Sequence, residues 1–281
     1  MSATLPRSLF TLVFVAALAS GPAHADPRYA WPSQTTTQSD TLEQRIAPPP
    51  GFTRVAAASG SWAEWLRGLR MKPAGAPVLI HTGAQKWRQD VHVAVVDIDV
   101  GQRDLQQCAD AIMRLRAEWL FGSKRQQDIA FNYTDGGRVP FSRWAGGERP
   151  SSSGKSWSRK AKADGSYASF RRYMDQVFSY AGTYSLDREL KRTDPATIAI
   201  GDVFIKGGFP GHAVLVADMV ENKTTGEKRF LLLQSYMPAQ EIHVLKNPAA
   251  ADGAPWYTTP VAWPLATPEW RFPEGSLKRW P

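Results

Sequence analysis

The chain carries one cysteine, Cys108, and five histidines, of which His24 lies in an N-terminal stretch that reads as a leader. A thiol and an imidazole are the two parts of a Cys–His nucleophile. The imidazole takes the thiol proton, the sulfur attacks a carbonyl, and the proton returns to the leaving amine. Cys108 sits in Gly101–Gly122, GQRDLQQCADAIMRLRAEWLFG, where Leu105, Cys108, Ile112, Leu115 and Trp119 recur at helical spacing. With Asp104 as the N-cap and Gln107 reaching back as in a capping box, Cys108 falls in the first turns, near the positive end of the helix dipole. That environment lowers a thiol's pKa. A second reading makes Cys108 a small apolar side chain on a buried face, where free cysteines usually sit. Both readings stand on the sequence.

His212 follows the glycine-rich run Gly207-Gly208-Phe209-Pro210-Gly211 and begins the strand HAVLVADMV. A side chain at the mouth of a sheet beside such a loop is within reach of substrate. His212–Val220 and Lys228–Tyr236 read as an antiparallel hairpin closed by the polar turn ENKTTGE. A tight closure brings the cross-ladder neighbours of His212 near Tyr236, and Gln234, two residues earlier, shares a face with Tyr236. Gln234 is therefore the candidate to orient the imidazole, and a register error of one residue would turn it away. Asp218 lies too far along its strand. Gly211 and Tyr236 are candidate substrate-binding residues, as are Arg143 and Trp144 in the segment 134–164. His243, alternating in EIHVL, reads as the exposed side of an edge strand, and His81 and His92 sit at strand ends without further signal. No HxxxH, HxH or CxxC spacing occurs, so neither a metal site nor a cofactor is expected.

These residues need elements to position them. Ser61–Arg70 reads as a short helix and His92–Val100 as a strand feeding the Cys108 helix. Tyr167–Ala181 reads as a second strong helix, and from Ala196 the pattern turns to strands. Residues 134–164, full of Gly, Pro, Ser and Arg, read as a long loop, and residues 26–52 as a flexible arm. Helices followed by a strand meander indicate an α+β fold, with 53–281 as one domain.

Residues 1–25 carry the marks of a signal peptide: Arg7, the apolar Leu9–Leu18 and Ala23-His24-Ala25, with cleavage near Ala25-Asp26. The apolar run is too short to span a bilayer, which predicts an exported chain, periplasmic or secreted, without a transmembrane segment. A lone cysteine forms no internal disulfide, so in an oxidising compartment the thiol is either buried or has a chemical use. The net charge of +8 suits anionic envelope polymers, membranes or nucleic acid. The basic residues are scattered, which argues against a nucleic-acid partner. The eleven tryptophans can stack on sugars or simply pack. Oligomeric state is not legible.

The order of a helix-borne Cys108, then Gly201-Asp202-Val203, then the strand-initial Gly211-His212-Ala213 resembles the NlpC-type cell-wall peptidases of the papain-like superfamily. The family's Asp-Cys-Ser-Gly signature is absent, Gln106-Gln107-Cys108-Ala109-Asp110 standing in its place, and the interval from Cys108 to His212 is longer. Gln102 stands at the spacing from Cys108 that papain's oxyanion glutamine occupies. Longer blocks, DLQQCADAIMRLRAEWL, YAGTYSL, GGFPGHAVLVADM and LLLQSYMPAQEIHVLKNP, resemble the exported bacterial family catalogued as domain of unknown function 4846, which implies no activity. The first resemblance implies a papain-like arrangement, a Cys-bearing helix packed on an antiparallel sheet. It also implies an amide hydrolase acting on peptidoglycan or another envelope polymer, with Cys108 as nucleophile, His212 as base and Gln234 orienting it. The rival expectation is a non-catalytic envelope module of the same fold that binds glycan or a protein.

Overall fold

The computed structural model describes residues 1, 28–34 and 40–281; the leader expected at 1–25 therefore lies almost wholly outside the described residues. Its centre is a nine-stranded antiparallel sheet. Along the chain its strands are β1 (Thr53–Arg54), β2 (His92–Val95), β3 (Lys191–Arg192), β4 (Val203–Lys206), β5 (His212–Glu221), β6 (Lys228–Gln234), β7 (His243–Leu245), β8 (Tyr257–Thr258) and β9 (Leu277–Arg279). The spatial order is β2-β7-β6-β5-β4-β9-β3, with β1 pairing β5 and β8 pairing β6. Strands of Val, Leu and Phe buried on both faces require cover on both sides. Ala213, Leu215 and Ala217 of β5 join the core formed with the helices, while Val214 and Val216 join a second core with Phe230, Tyr257 and Phe272.

The helices are α1 (Leu42–Arg45), α2 (Trp62–Arg67), α3 (Cys108–Gly122), α4 (Phe141–Ala145), α5 (Tyr167–Tyr180) and α6 (Thr183–Glu189). Ser61 caps α2 by accepting from the Glu64 N–H at 3.2 Å, and Ser166 caps α5 by accepting from the Ser169 N–H, also at 3.2 Å. The broad apolar face read along Tyr167–Ala181 is buried at Phe170, Tyr173, Met174, Val177 and Phe178.

Three expectations need correction. Residues 134–164 are not one loop: they hold α4, the ladder of Glu148–Pro150 with Trp157–Arg159, and the strand Arg138–Pro140, which pairs with Ala130–Asn132 just before the segment. The Gly and Pro residues there punctuate short elements, too short to show a period. The arm at 26–52 contributes α1, and its Tyr29 and Trp31 pack in the core against Trp65 at ring distances of 5.1 and 5.8 Å. His243 is not on an exposed edge. Its strand β7 lies between β2 and β6, and its side chain is fully buried.

Candidate active site

α3 begins at Cys108, not after Asp104. Gln107 is the N-cap and its N–H donates to the carboxylate of Asp110 at 3.1 Å, so the capping partner that ends the helix lies inside it. Asp104 stays outside, where its Oδ1 accepts from the Ala239 N–H at 2.6 Å and from the Gln107 side-chain amide at 3.1 Å. Cys108 is thereby the first helical residue. The dipole favours a thiolate there, but burial wins: the side chain is 7% exposed. Burial, with Asp110 nearby adding to it, pushes the thiol up to about 12, opposite to the lowering expected from helix position alone. Backbone N–H groups of Ala109, Ala213 and Cys108 itself face the sulfur and oppose that rise without cancelling it. Because Ala213 follows His212, the sulfur sits against the backbone of the strand start that carries the imidazole.

Cys108 and His212 line one cavity of about 490 Å³, together with Asp104, Gln107, Asp110, Gly211, Tyr236 and Trp270. The cavity lies at the N-terminal end of β5. Phe209 and Met237, 85% and 60% exposed, stand among its lining residues as apolar side chains open to solvent. Gly211 is required by close packing. A Cβ there would lie 2.2 Å from Thr183 Oγ1 and 2.6 Å from the Gly208 carbonyl oxygen.

His212 is 1% exposed, and its Nε2 lies 2.9 Å from Gln234 Oε1. Its ring packs against Tyr236 at 4.8 Å, Trp270 at 5.3 Å and Phe272 at 5.8 Å. Burial lowers its pKa to about 4; the Gln234 bond opposes that shift and Lys86 adds to it. The resting pair is therefore a neutral thiol and a neutral imidazole.

The Gln234 contact depends on a bulge. Near the turn, Glu221 pairs with Lys228 and Met219 with Phe230; beyond it, Val216 pairs with Leu232 and Leu215 with Leu233. The ladder skips Ala217. Without the skip, Gln234 would point to the opposite face from His212. With it, the count continues to Tyr236 opposite His212, and Gln234 falls on the imidazole's face.

The structure thus brings Cys108, His212, Gly211 and Tyr236 to one cavity and sets Gln234 behind His212. It places Arg143 and Trp144 elsewhere. Trp144 is buried against Tyr173, its indole N–H donating to Ser169 Oγ at 3.3 Å, and Arg143 pairs with Glu148 at 2.7 Å. Gln102 is exposed and does not line the cavity. Asp218 is an anchor for Arg54 and Arg67, at 2.8 and 2.7 Å. Sequence reasoning missed Trp270 of the cavity wall, and it missed Glu269 and Lys86, which pair at 2.7 Å behind Gln234. These lie in segments of irregular pattern that carry no periodic signal. It also missed Asp110, whose carboxyl burial raises well above the usual range. Among the described residues no cluster of His, Cys, Asp and Glu could hold a metal ion, and no helix is long and apolar enough to cross a membrane.

Fold and site define a mixed α+β protein with a large antiparallel sheet and a helix-borne thiol at a cavity shared with a strand-borne imidazole. Residues 42–279 match the family described as Domain of unknown function (4846), and the chain belongs to it. No curated protein and no solved structure matches the chain.

Proposed function

We propose that this protein is an exported Cys–His hydrolase of papain-like, NlpC-type arrangement that cleaves an amide in peptidoglycan or another envelope polymer. One observation carries the reading: Cys108 and His212 line the same cavity while Gln234 occupies Nε2 of the imidazole, which leaves Nδ1 as the nitrogen able to take a proton. The envelope assignment rests on the targeting signal read at 1–25 and on the basic charge.

The resting pair being neutral, proton transfer accompanies attack. Nδ1 takes the thiol proton as the sulfur bonds to the substrate carbonyl carbon. The carbon–nitrogen bond then breaks, the amine leaves with the proton from the imidazolium, and water hydrolyses the thioester to acid and free thiol. In this reading the oxyanion is steadied by the Cys108 N–H, one of the four helix-start N–H groups without an intrahelical acceptor.

The test is incubation of the purified chain with peptidoglycan peptides and a panel of simple peptide amides, read by mass spectrometry. New amine and acid products are expected from wild type, none from Cys108→Ala, and a thioester adduct trapped on rapid acid quench. If Cys108→Ala released products as fast as wild type, the mechanism would be abandoned.

The burial and raised pKa of Cys108 favour a second reading, a binding module that uses the same cavity without chemistry. It predicts no product from any member of the panel and saturable binding of a wall fragment that is equal in wild type and Cys108→Ala.

A further inference from the structure

The hydrogen bonds of Gln234 extend past His212 to His243 and Glu269. His243 Nδ1 lies 2.8 Å from the Glu241 carbonyl oxygen, which can only accept, so that nitrogen carries the proton. Burial lowers the His243 pKa to about 3, so the ring is neutral and its Nε2 bears a lone pair. Gln234 Nε2 sits 3.5 Å from that lone pair and 2.8 Å from Glu269 Oε2. Both neighbours on the nitrogen side of the amide are acceptors. The opposite orientation would set Gln234 Oε1 against a carboxylate and a lone pair. Its oxygen must therefore face His212, and His212 Nε2 must donate to it at 2.9 Å.

Glu269 is itself fixed. Lys86 Nζ lies 2.7 Å from Glu269 Oε1, the two side chains being 1% and 5% exposed. The same ammonium stands 5.2 Å from the Tyr236 ring centroid, and Tyr236 packs on His212. A buried carboxylate paired with a buried cation has few alternative positions, which is what a group that orients another needs.

We propose that Glu269, held by Lys86, is a positioning residue that fixes the Gln234 amide and so keeps the His212 proton on Nε2 and the lone pair on Nδ1. Its catalytic consequence rests on the hydrolase reading; the tautomer does not. The device acts through the first acceptor on the amide nitrogen, so what matters at position 269 is an acceptor oxygen more than a charge.

Long-range nitrogen–proton correlation spectra of the histidine rings in the full chain test this. At neutral pH the wild-type His212 is expected to show a single neutral form with its proton on Nε2. Lys86→Met/Glu269→Met, which removes the pair without stranding a charge, is expected to add a form protonated on Nδ1. Lys86→Met/Glu269→Gln, which also strands no charge, is expected to keep the wild-type form, because the amide oxygen at position 269, released from Lys86, still accepts from Gln234. On a substrate that wild type cleaves, Lys86→Met/Glu269→Met should lose on the order of 10–100-fold in kcat with KM little changed, and Lys86→Met/Glu269→Gln should retain most of it. A wild-type His212 protonated on Nδ1 overturns the proposal even if neither double variant folds. A folded Lys86→Met/Glu269→Met variant that keeps the pure Nε2–H form overturns it as well. If the tautomers behave as expected while wild type cleaves nothing, the hydrolase reading fails and the positioning inference stands.

Discussion

Two buried polar clusters, one on α3 and one at the end of the sheet, are built differently. Under the middle of the helix, Arg114 donates to Glu118 at 2.6 Å, to Gln106 at 3.0 Å, to Asp99 at 3.1 Å and to Tyr167 at 3.2 Å. Tyr167 in turn donates to Glu118 at 2.8 Å, tying α3 to α5. None of these groups lines the cavity; the cluster closes on itself. At the end of the sheet, Lys86, Glu269 and Gln234 form a chain that does not close. It terminates on His212, which faces the cavity. Each cluster pairs a carboxylate with a cation out of water. In the first the pair holds helices together, whereas in the second it sets which nitrogen carries a proton.

The largest expected effect comes from breaking the closed cluster. Arg114 and Glu118 are both fully buried. Arg114→Met leaves the Glu118 charge without its partner, which typically costs about 3–5 kcal/mol. Urea unfolding should register that loss. A loss below roughly 1 kcal/mol would mean that the Arg114 cluster does not anchor the fold.

Acid should act on the open cluster next. A histidine whose pKa is lower folded than unfolded binds its proton more readily in the unfolded chain. Its contribution to stability is complete above the unfolded value of about 6.5 and is lost as pH falls toward the folded value. For His212, titrating at about 4, the window runs from 6.5 down to 4. The loss across it is roughly 3 kcal/mol. His212→Asn should flatten the fall in urea midpoint between pH 7 and pH 4 relative to wild type. Under the hydrolase reading the activity has its own signature. It should stay level from neutral into mildly acidic pH and drop near pH 4, when Nδ1 is protonated. A drop near pH 6.5 would show that the imidazole is not buried as described.

Gly211 gives a smaller and purely steric effect. An alanine methyl would meet Thr183 Oγ1 and the Gly208 carbonyl, so Gly211→Ala should cost about 1–3 kcal/mol through displacement of the loop. Thermal unfolding checks it. Were the variant as stable as wild type, the loop would have to rest differently against α6.

The same contrast explains what was legible in the sequence. Helical spacing, the Gly-rich run before His212 and a hairpin count placed Cys108, His212 and Gln234 in one neighbourhood, because period and turn length are local. The face of Gln234 turns on the skipped Ala217, and the unbroken apolar run Ala213–Ala217 gives no sign of a bulge. The helix start moved from Asp104 to Cys108 because Asp110, inside the helix, outcompetes an upstream cap. Which reading of Cys108 sets the thiol's pKa is not legible in the sequence, because burial is a tertiary property. Glu269 and Lys86 were illegible for the same reason: their partnership spans from the region before β2 to the Pro- and Trp-rich C-terminal segment, and no spacing rule connects them. His243 was read from alternation as exposed, yet β2 covers it.

The smallest effect sharpens the boundary of the open cluster. Arg143 was a candidate for ligand contact because it stands beside a tryptophan in a segment without periodicity. The structure gives it Glu148 at 2.7 Å and the Trp157 ring at 4.5 Å, and it does not line the cavity. Surface ion pairs of this kind contribute little. Arg143→Ala should therefore leave both the unfolding midpoint and the rate on any substrate the wild type cleaves unchanged, whereas Tyr236→Ala, which removes the ring packed on His212, should slow that rate. If the order were reversed, the substrate would have to extend from the cavity across α4, and the functional surface would be drawn around the 134–164 segment instead of the end of the sheet.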